Sequence, residues 1–235
     1  MTVIALWAHS RSASTAFVRM MIERGDVTVV HEPLLALTEE GSVSLPDAST
    51  ARSEAELLTG LLRLGEDRPV FVKEVVDYDY RYPARIAELT HTFLVRHPRR
   101  TIASHYAAKP TVTSPEIGYE RLHDLFELAW KATGRKPLVL RAEDLLADPP
   151  RAVAAYCDYT GLPYRPEALS WQPQDRPEWH RHRTWHLDAI ASDGFADQAN
   201  HYEHTVDNDP VLKSFYDHHL PFYEQLVHHA SGEHQ

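Results

Sequence analysis

The stretch LWAHSRSASTAF (residues 6–17) breaks an apolar run with three serines, a threonine, a histidine and an arginine, then resumes apolar residues at helical spacing. A helix starting near Ser14 aims its free backbone N–H groups and the positive end of its dipole back at that turn, which suits phosphate or sulfate. Ser12, Ser14 and Thr15 add hydroxyl donors, and Arg11 adds a planar fork matched to an oxyanion. An ordinary helix cap also uses Ser and Thr, but an arginine among four hydroxyl residues favours the anion. The turn is not a Walker A loop, since it has neither glycine nor a Lys-Ser/Thr pair. A second candidate is FLVRHPRRTIASHY (93–106). Arg96 stands where an apolar run ends, Pro98 opens a helix, and Ser104 follows eight residues after Arg96, about two helical turns on. That segment reads equally as a solvated basic turn.

These residues need elements to hold them. TVIALW (2–7), VTVVH (27–31), PVFVKEVV (69–76), HTFLVR (91–96) and the start of PLVLRAEDLL (137–146) read as short buried strands. Helices are expected over 15–25, 53–65 (opening on a Ser53/Glu56 capping box), 99–108, 116–132 and 150–162, the last ending at Gly161. Residues 38–50 read as a polar loop. Residues 171–204, rich in Trp, His, Arg and Asp, read as a flap-like segment, and 207–229 as a helical tail interrupted by Pro221. Strands alternating with helices predict an α/β fold, one domain over 1–235 with a mainly parallel sheet of about five strands. Ligands of such sheets bind beyond the carboxyl ends of the strands, where both candidate segments fall.

The 235-residue chain carries a formal charge of −10. That argues against nucleic acid as a partner but leaves room for a small anion held by clustered arginines. A single cysteine, Cys157, excludes an intrachain disulfide and fits a reducing cytoplasm. No secretory signal or bilayer-length apolar run is read, so a cytoplasmic protein with no membrane partner is expected. HRHRTWH (180–186) matches no common zinc spacing, and its arginines repel a cation, so no metal is expected.

Taken together, the two anion segments resemble the sulfotransferases that use 3′-phosphoadenosine 5′-phosphosulfate (PAPS), a P-loop-like fold. Their first-strand loop, of the type P-R-S-G-S-T, cradles the 5′-phosphosulfate, and a later R-x7-S holds the 3′-phosphate. Here the first reads H-S-R-S-A-S-T and the second Arg96…Ser104. HEPL, FVKEV, AEDLLADP, YCDYTGLPY, LSW and WH…SDGF extend the likeness to the bacterial and fungal branch over nearly the whole chain. His9 replaces a frequent proline, Ala13 a frequent glycine, and there is no clear R-K-G segment, for which Arg181 or Arg183 are conceivable substitutes.

The resemblance implies sulfuryl transfer from PAPS to a hydroxyl or amine of a small-molecule acceptor, leaving 3′,5′-bisphosphoadenosine (PAP). Arg11, Ser12, Ala13, Ser14, Thr15, Arg96 and Ser104 would hold the donor, with Ser192 and Phe195, beside Trp185 and Gly194, in a flap over the nucleotide. Such transfer rests on positioning and charge stabilisation. Lys73 and Arg11 are the candidate cations at the transferred group. Glu32, after the second strand and before Pro33, is the first choice of base, with His31, Glu74, Asp77 and His9 as rivals; His9 would serve if the loop sets it over the sulfonate. Trp7 reads as an adenine platform or as core, and Tyr78, Tyr80, Tyr82 and Tyr106 as acceptor-pocket walls or as surface. The alternatives are a P-loop-like kinase or phosphotransferase, and a non-catalytic nucleotide-binding protein. Oligomeric state is not read.

Overall fold

The computed structural model describes residues 2–77, 85–197 and 200–230. Strand β1, Val3–Ala8, is buried along its full length, as a Val/Ile/Leu-rich run must be when helices cover both faces of a sheet. It lies in the middle. The chain continues through helix α1 (Ser14–Glu23), strand β2 (Thr28–His31), helix α2 (Pro33–Glu40), a small hairpin of β3 (Val43–Ser44) and β4 (Thr50–Ala51), helix α3 (Glu54–Asp67) and strand β5 (Val70–Val75). Strand β6 (Thr90–Val95), helices α4 (Pro98–Ala108), α5 (Ser114–Ile117) and α6 (Tyr119–Thr133), and strand β7 (Leu138–Arg141) follow. Helices α7 (Ala142–Ala147), α8 (Pro149–Thr160), α9 (Leu187–Ala191) and α10 (Pro210–Ala230) complete the fold.

The main sheet is five-stranded, in the order β2-β5-β1-β6-β7, and its pairings are all parallel. From β1 the chain moves to one side for β2 and β5, then crosses to the other for β6 and β7. The order therefore reverses at β1/β6, and a crevice opens beyond the strand ends there. Alternation splits the core. Val3, Ala5, Trp7, Val70, Val72 and Phe93 pack with α3, α6 and α10. Ile4, Leu6, Ala8, Phe71 and Leu94 pack with α1 and α8 on the opposite face. The same alternation sets adjacent residues Lys73 and Glu74 on opposite sides of β5.

The predicted α/β class and parallel sheet match the structure. The polar reading of 38–50 differs from it: α2 runs from Pro33 at its first turn to Gly41, whose φ of 71° closes it, and the hairpin follows. Only Pro33, Leu34, Leu35 and Ala36 of this helix are buried, and its last turn is Thr-Glu-Glu, so the sequence reads as polar from residue 38 on. The helix expected over 116–132 is two, α5 and α6, divided by Gly118 at φ 84°. A Cβ there would meet Asp77 Oδ1 and Val76 Cγ2 at 3.2 Å, so this glycine lets the chain pass tightly against the strand end. The residues after β7, Ala142–Ala147, form helix α7. Pro221 does not interrupt the tail helix. Both Pro221 and Asp217 are exposed, so the carbonyl deprived of its partner can turn to water. Among the described residues, no helix is long and apolar enough to cross a membrane.

Candidate functional site

The turn after β1 is built on two left-handed residues without glycine, Arg11 at φ 64° and Ala13 at φ 68°. Ala13 is the N-cap of α1, and no side chain among the described residues caps that helix. Its first-turn N–H groups thus face the turn. The Ser12 hydroxyl is fully buried and finds no partner among the described residues. Thr15 Oγ1 lies 3.0 Å from His186 Nδ1. Asp77 holds the turn from behind, its carboxylate oxygens accepting the Ser10 N–H at 3.1 and 3.2 Å.

The second segment meets the first. Arg96 Nη1 donates to the Arg11 carbonyl at 3.2 Å, and Arg11 Nε donates to Ser104 Oγ at 2.8 Å. Arg96 Nε is buried without an acceptor among the described residues. Two carboxylates from the 171–204 segment face these cations. Asp188 Oδ2 accepts from Arg11 Nη2 at 2.9 Å, and Asp197 Oδ1 accepts from Arg96 Nη2 at 3.4 Å.

Lys73 and Glu32 form the third part. Glu32 joins β2 to α2 in the left-handed region, φ 49° and ψ 48°, a strained geometry for a non-glycine residue. Its N–H donates to the Lys73 carbonyl at 2.8 Å, and the Lys73 ammonium donates to its carboxylate. Burial pushes that carboxyl up, but the charge and hydrogen bond of Lys73, with the nearby His31, outweigh burial and hold it at about 2. Glu74, on the other face, accepts the Leu34 N–H at 2.5 Å, so it fixes the start of α2 and with it the Glu32 turn. Burial raises Glu74 well above the carboxylate range and lifts Asp77 to about 7.

His31, Glu32 and His186 bring three ligand-type atoms within 4.8 Å of one another, a grouping the 180–186 run did not reveal because its partners lie at 31 and 32. Burial holds His31 at about 4 and His186 at about 3, so both rings are neutral near pH 7. The Lys73 ammonium already supplies a positive charge on Glu32, and a second cation there would be repelled.

Arg11, Glu32, Lys73, Arg96, Ser104 and His186 line one open pocket. Of the residues expected at the site, His9, His31, Glu74 and Phe195 do not line it. His9 Nε2 accepts the Arg96 N–H at 3.0 Å, and Nδ1 lies 2.9 Å from the Ser10 carbonyl. It is a buried staple between the β1 and β6 ends, held at about 3 by burial. Phe195 packs against Trp171 and Phe17, with ring centroids at 5.4 and 6.4 Å. Ser192 lines the pocket while its hydroxyl bonds Trp171 and Ala189. Trp7 is a core residue donating to His91 at 2.9 Å. Arg181 and Arg183 pair with Glu40 and Asp175, away from the pocket lining. Tyr106 is partly buried against the core, and Tyr78, Tyr80 and Tyr82 lie outside the described residues.

The chain is thus a parallel α/β sheet with a serine- and arginine-bearing turn after its central strand and an R-x7-S segment beside it. The sulfotransferase-domain family model matches residues 1–230, and the chain belongs to that family. Its sequence is 24% identical over 215 residues to the branched-chain-amino-acid aminotransferase-like protein 2 of Arabidopsis thaliana and 26% identical over 193 residues to protein 1 of that name. Those matches cover 83% and 75% of this chain but 36% and 33% of the relatives, so the chain spans about a third of their length. Similar solved structures include the sulfotransferase domain from the curacin biosynthetic pathway (13% identity, 100% of this chain and 99% of that one, TM-score 0.47). The sulfotransferase domain of the Synechococcus PCC 7002 olefin synthase is another (16% identity, 92% and 94%, TM-score 0.45). A third is mouse sulfotransferase SULT7A1 complexed with PAP (13% identity, 71% and 60%, TM-score 0.44).

Proposed function

We propose that the chain is a PAPS-dependent sulfotransferase that acts on a hydroxyl or amine of a small-molecule acceptor. The observation that carries this reading is the meeting of Arg11, Arg96 and Ser104 in one pocket beside a helix start and a serine hydroxyl that have no side-chain cap and no partner among the described residues. That gives two anion-holding groups of donors at one sheet edge, which suits a ligand phosphorylated at both ends.

PAPS, when bound, supplies an activated sulfuryl group. The turn from Arg11 to Thr15 holds its 5′-phosphosulfate, and Arg96 with Ser104 its 3′-phosphate. Lys73 neutralises the charge that builds on the departing phosphate oxygen. Turning to that charge loosens Lys73 from Glu32, and burial then raises the Glu32 carboxyl toward a useful base. A new acceptor–sulfur bond forms, the bridging sulfur–oxygen bond breaks with its electron pair leaving on the 5′-phosphate, and the acceptor's proton passes to Glu32. His9, with both ring nitrogens engaged, is assigned to holding the loop. Segment 171–204 is assigned the covering role, since Trp185, His186 and Ser192 all line the pocket.

A thermal-shift comparison tests the reading. Stabilisation by PAP without magnesium, and none by magnesium-ATP, supports it; the reverse preference favours a kinase. PAP binding without transfer from PAPS to any acceptor of a phenol, alcohol, carbohydrate and amine panel points to a non-catalytic binder.

A further inference from the structure

We propose that Asp197 competes with the nucleotide's 3′-phosphate for Arg96 and Arg100, so that Arg100 is a second cation of that subsite and Asp197 tunes its affinity. The inference rests on the proposed PAPS reading and deepens it.

Arg100 lies in the first turn of α4, one turn on from Arg96 at the end of β6. Its Nη1 and Nη2 donate to the two oxygens of Asp197 at 2.8 Å each. That fork-to-carboxylate pairing presents the same parallel donors that two phosphate oxygens accept. Asp197 also takes Arg96 Nη2, at the longer distance of 3.4 Å. One carboxylate thus serves two guanidinium groups, while Glu143, which accepts the His97 N–H at 2.9 Å, is near enough to attract both but is hydrogen-bonded to neither. The buried Arg96 Nε, with no acceptor among the described residues, is a further donor Asp197 does not satisfy. The donor set therefore suits an anion with more oxygens and more charge than a carboxylate.

The pair is also easily exchanged. The Asp197 side chain is 47% exposed and that of Arg100 38%, so water screens their attraction. A phosphate carrying up to two negative charges outcompetes it. Neighbouring Arg99 is committed elsewhere, to Asp207, and to the face of Tyr216 at 5.4 Å, so the adjacent arginines have separate tasks. Because Asp197 meets Arg96 and Arg100, and not the Arg11–Thr15 turn, its competition falls on ligands that carry a 3′-phosphate.

The test is calorimetry on the full chain, without magnesium, using PAP and adenosine 5′-monophosphate as probes. Asp197→Asn is expected to tighten PAP by about 3- to 5-fold, the scale of a half-exposed ion pair, and to leave the monophosphate unchanged. Arg100→Ala is expected to weaken PAP about ten-fold or more, again without effect on the monophosphate. Asp207→Asn makes the same change in net charge outside the subsite and should alter neither ligand. If Asp197→Asn leaves PAP affinity as it was, weakens it, or tightens both probes alike, the proposal is overturned. Wild type that binds neither probe overturns the donor reading itself, whereas PAP binding indifferent to residue 197 overturns this inference alone.

Discussion

Arg96 donates through Nη1 to the main-chain carbonyl of Arg11 at 3.2 Å, joining two segments 85 residues apart at the β1/β6 edge of the sheet. The side chain of one arginine thus holds the backbone that carries the other, in a turn with left-handed residues at 11 and 13. The parallel pairing of β1 with β6 brings this about by placing both carboxyl ends at one edge.

Removing Arg96 separates binding from chemistry. Arg96→Ala should weaken PAP by about ten-fold or more, the value of a charge-assisted hydrogen bond lost to a ligand. Calorimetry reads this directly, and unchanged affinity removes Arg96 from the nucleotide site. A circular-dichroism melt distinguishes lost ligand contacts from a collapsed turn.

The Lys73–Glu32 pair gives a prediction about both stability and turnover. Both side chains are at least nine-tenths buried, so deleting one partner strands the other's charge. Lys73→Ala should cost about 3–5 kcal/mol, and the double variant Lys73→Ala/Glu32→Gln should recover much of it, because no charge is then left unpaired. Denaturant titration of the four proteins forms the cycle. With PAPS and an accepted substrate, Glu32→Gln should bind PAP normally and abolish transfer. Transfer that survives places the base elsewhere.

Much of this arrangement was legible in the sequence, and the reasons are specific. The five strands are short apolar runs, and Ser12, Arg96 and Ser104 follow them at spacings that local geometry fixes. What tertiary contacts decide was not legible. His9 reads as a rival base until Arg96 N–H and Ser10 are found on its two nitrogens. Phe195 reads as a flap residue, but its ring belongs with Trp171 and Phe17 in the core. His186, Asp188 and Asp197 sit in a segment without periodicity, so nothing local told which of its many polar side chains would face Thr15, Arg11 and Arg96.

Ala13 provides a local test of the anion turn. At φ 68° an alanine is tolerated at a cost of about 1 kcal/mol, while a β-branched side chain is a steric outlier. Ala13→Val should therefore distort the turn and weaken PAP more than it lowers the melting temperature, whereas Ala13→Gly should preserve binding. Equal PAP affinity in all three proteins shows that the turn's backbone does not hold the 5′-phosphate.

Acid sensitivity follows from His9. Burial lowers its folded pKa to about 3, against an unfolded value near 6.5. The unfolded chain therefore takes up a proton that the folded chain refuses, so stability is full above about pH 6.5 and falls as pH drops below it. Between pH 7 and pH 5 this one residue should remove about 2 kcal/mol. Asp77 and Glu74, whose folded values are raised, act in the opposite direction, so wild type alone cannot isolate the effect. His9→Asn can, because asparagine still offers an oxygen to the Arg96 N–H and does not titrate. Its unfolding free energy should fall about 2 kcal/mol less than that of wild type over the same interval. Parallel pH profiles for the two proteins show that His9 is protonated as readily in the folded chain as in the unfolded one, and that it is not the neutral staple joining β1 to β6.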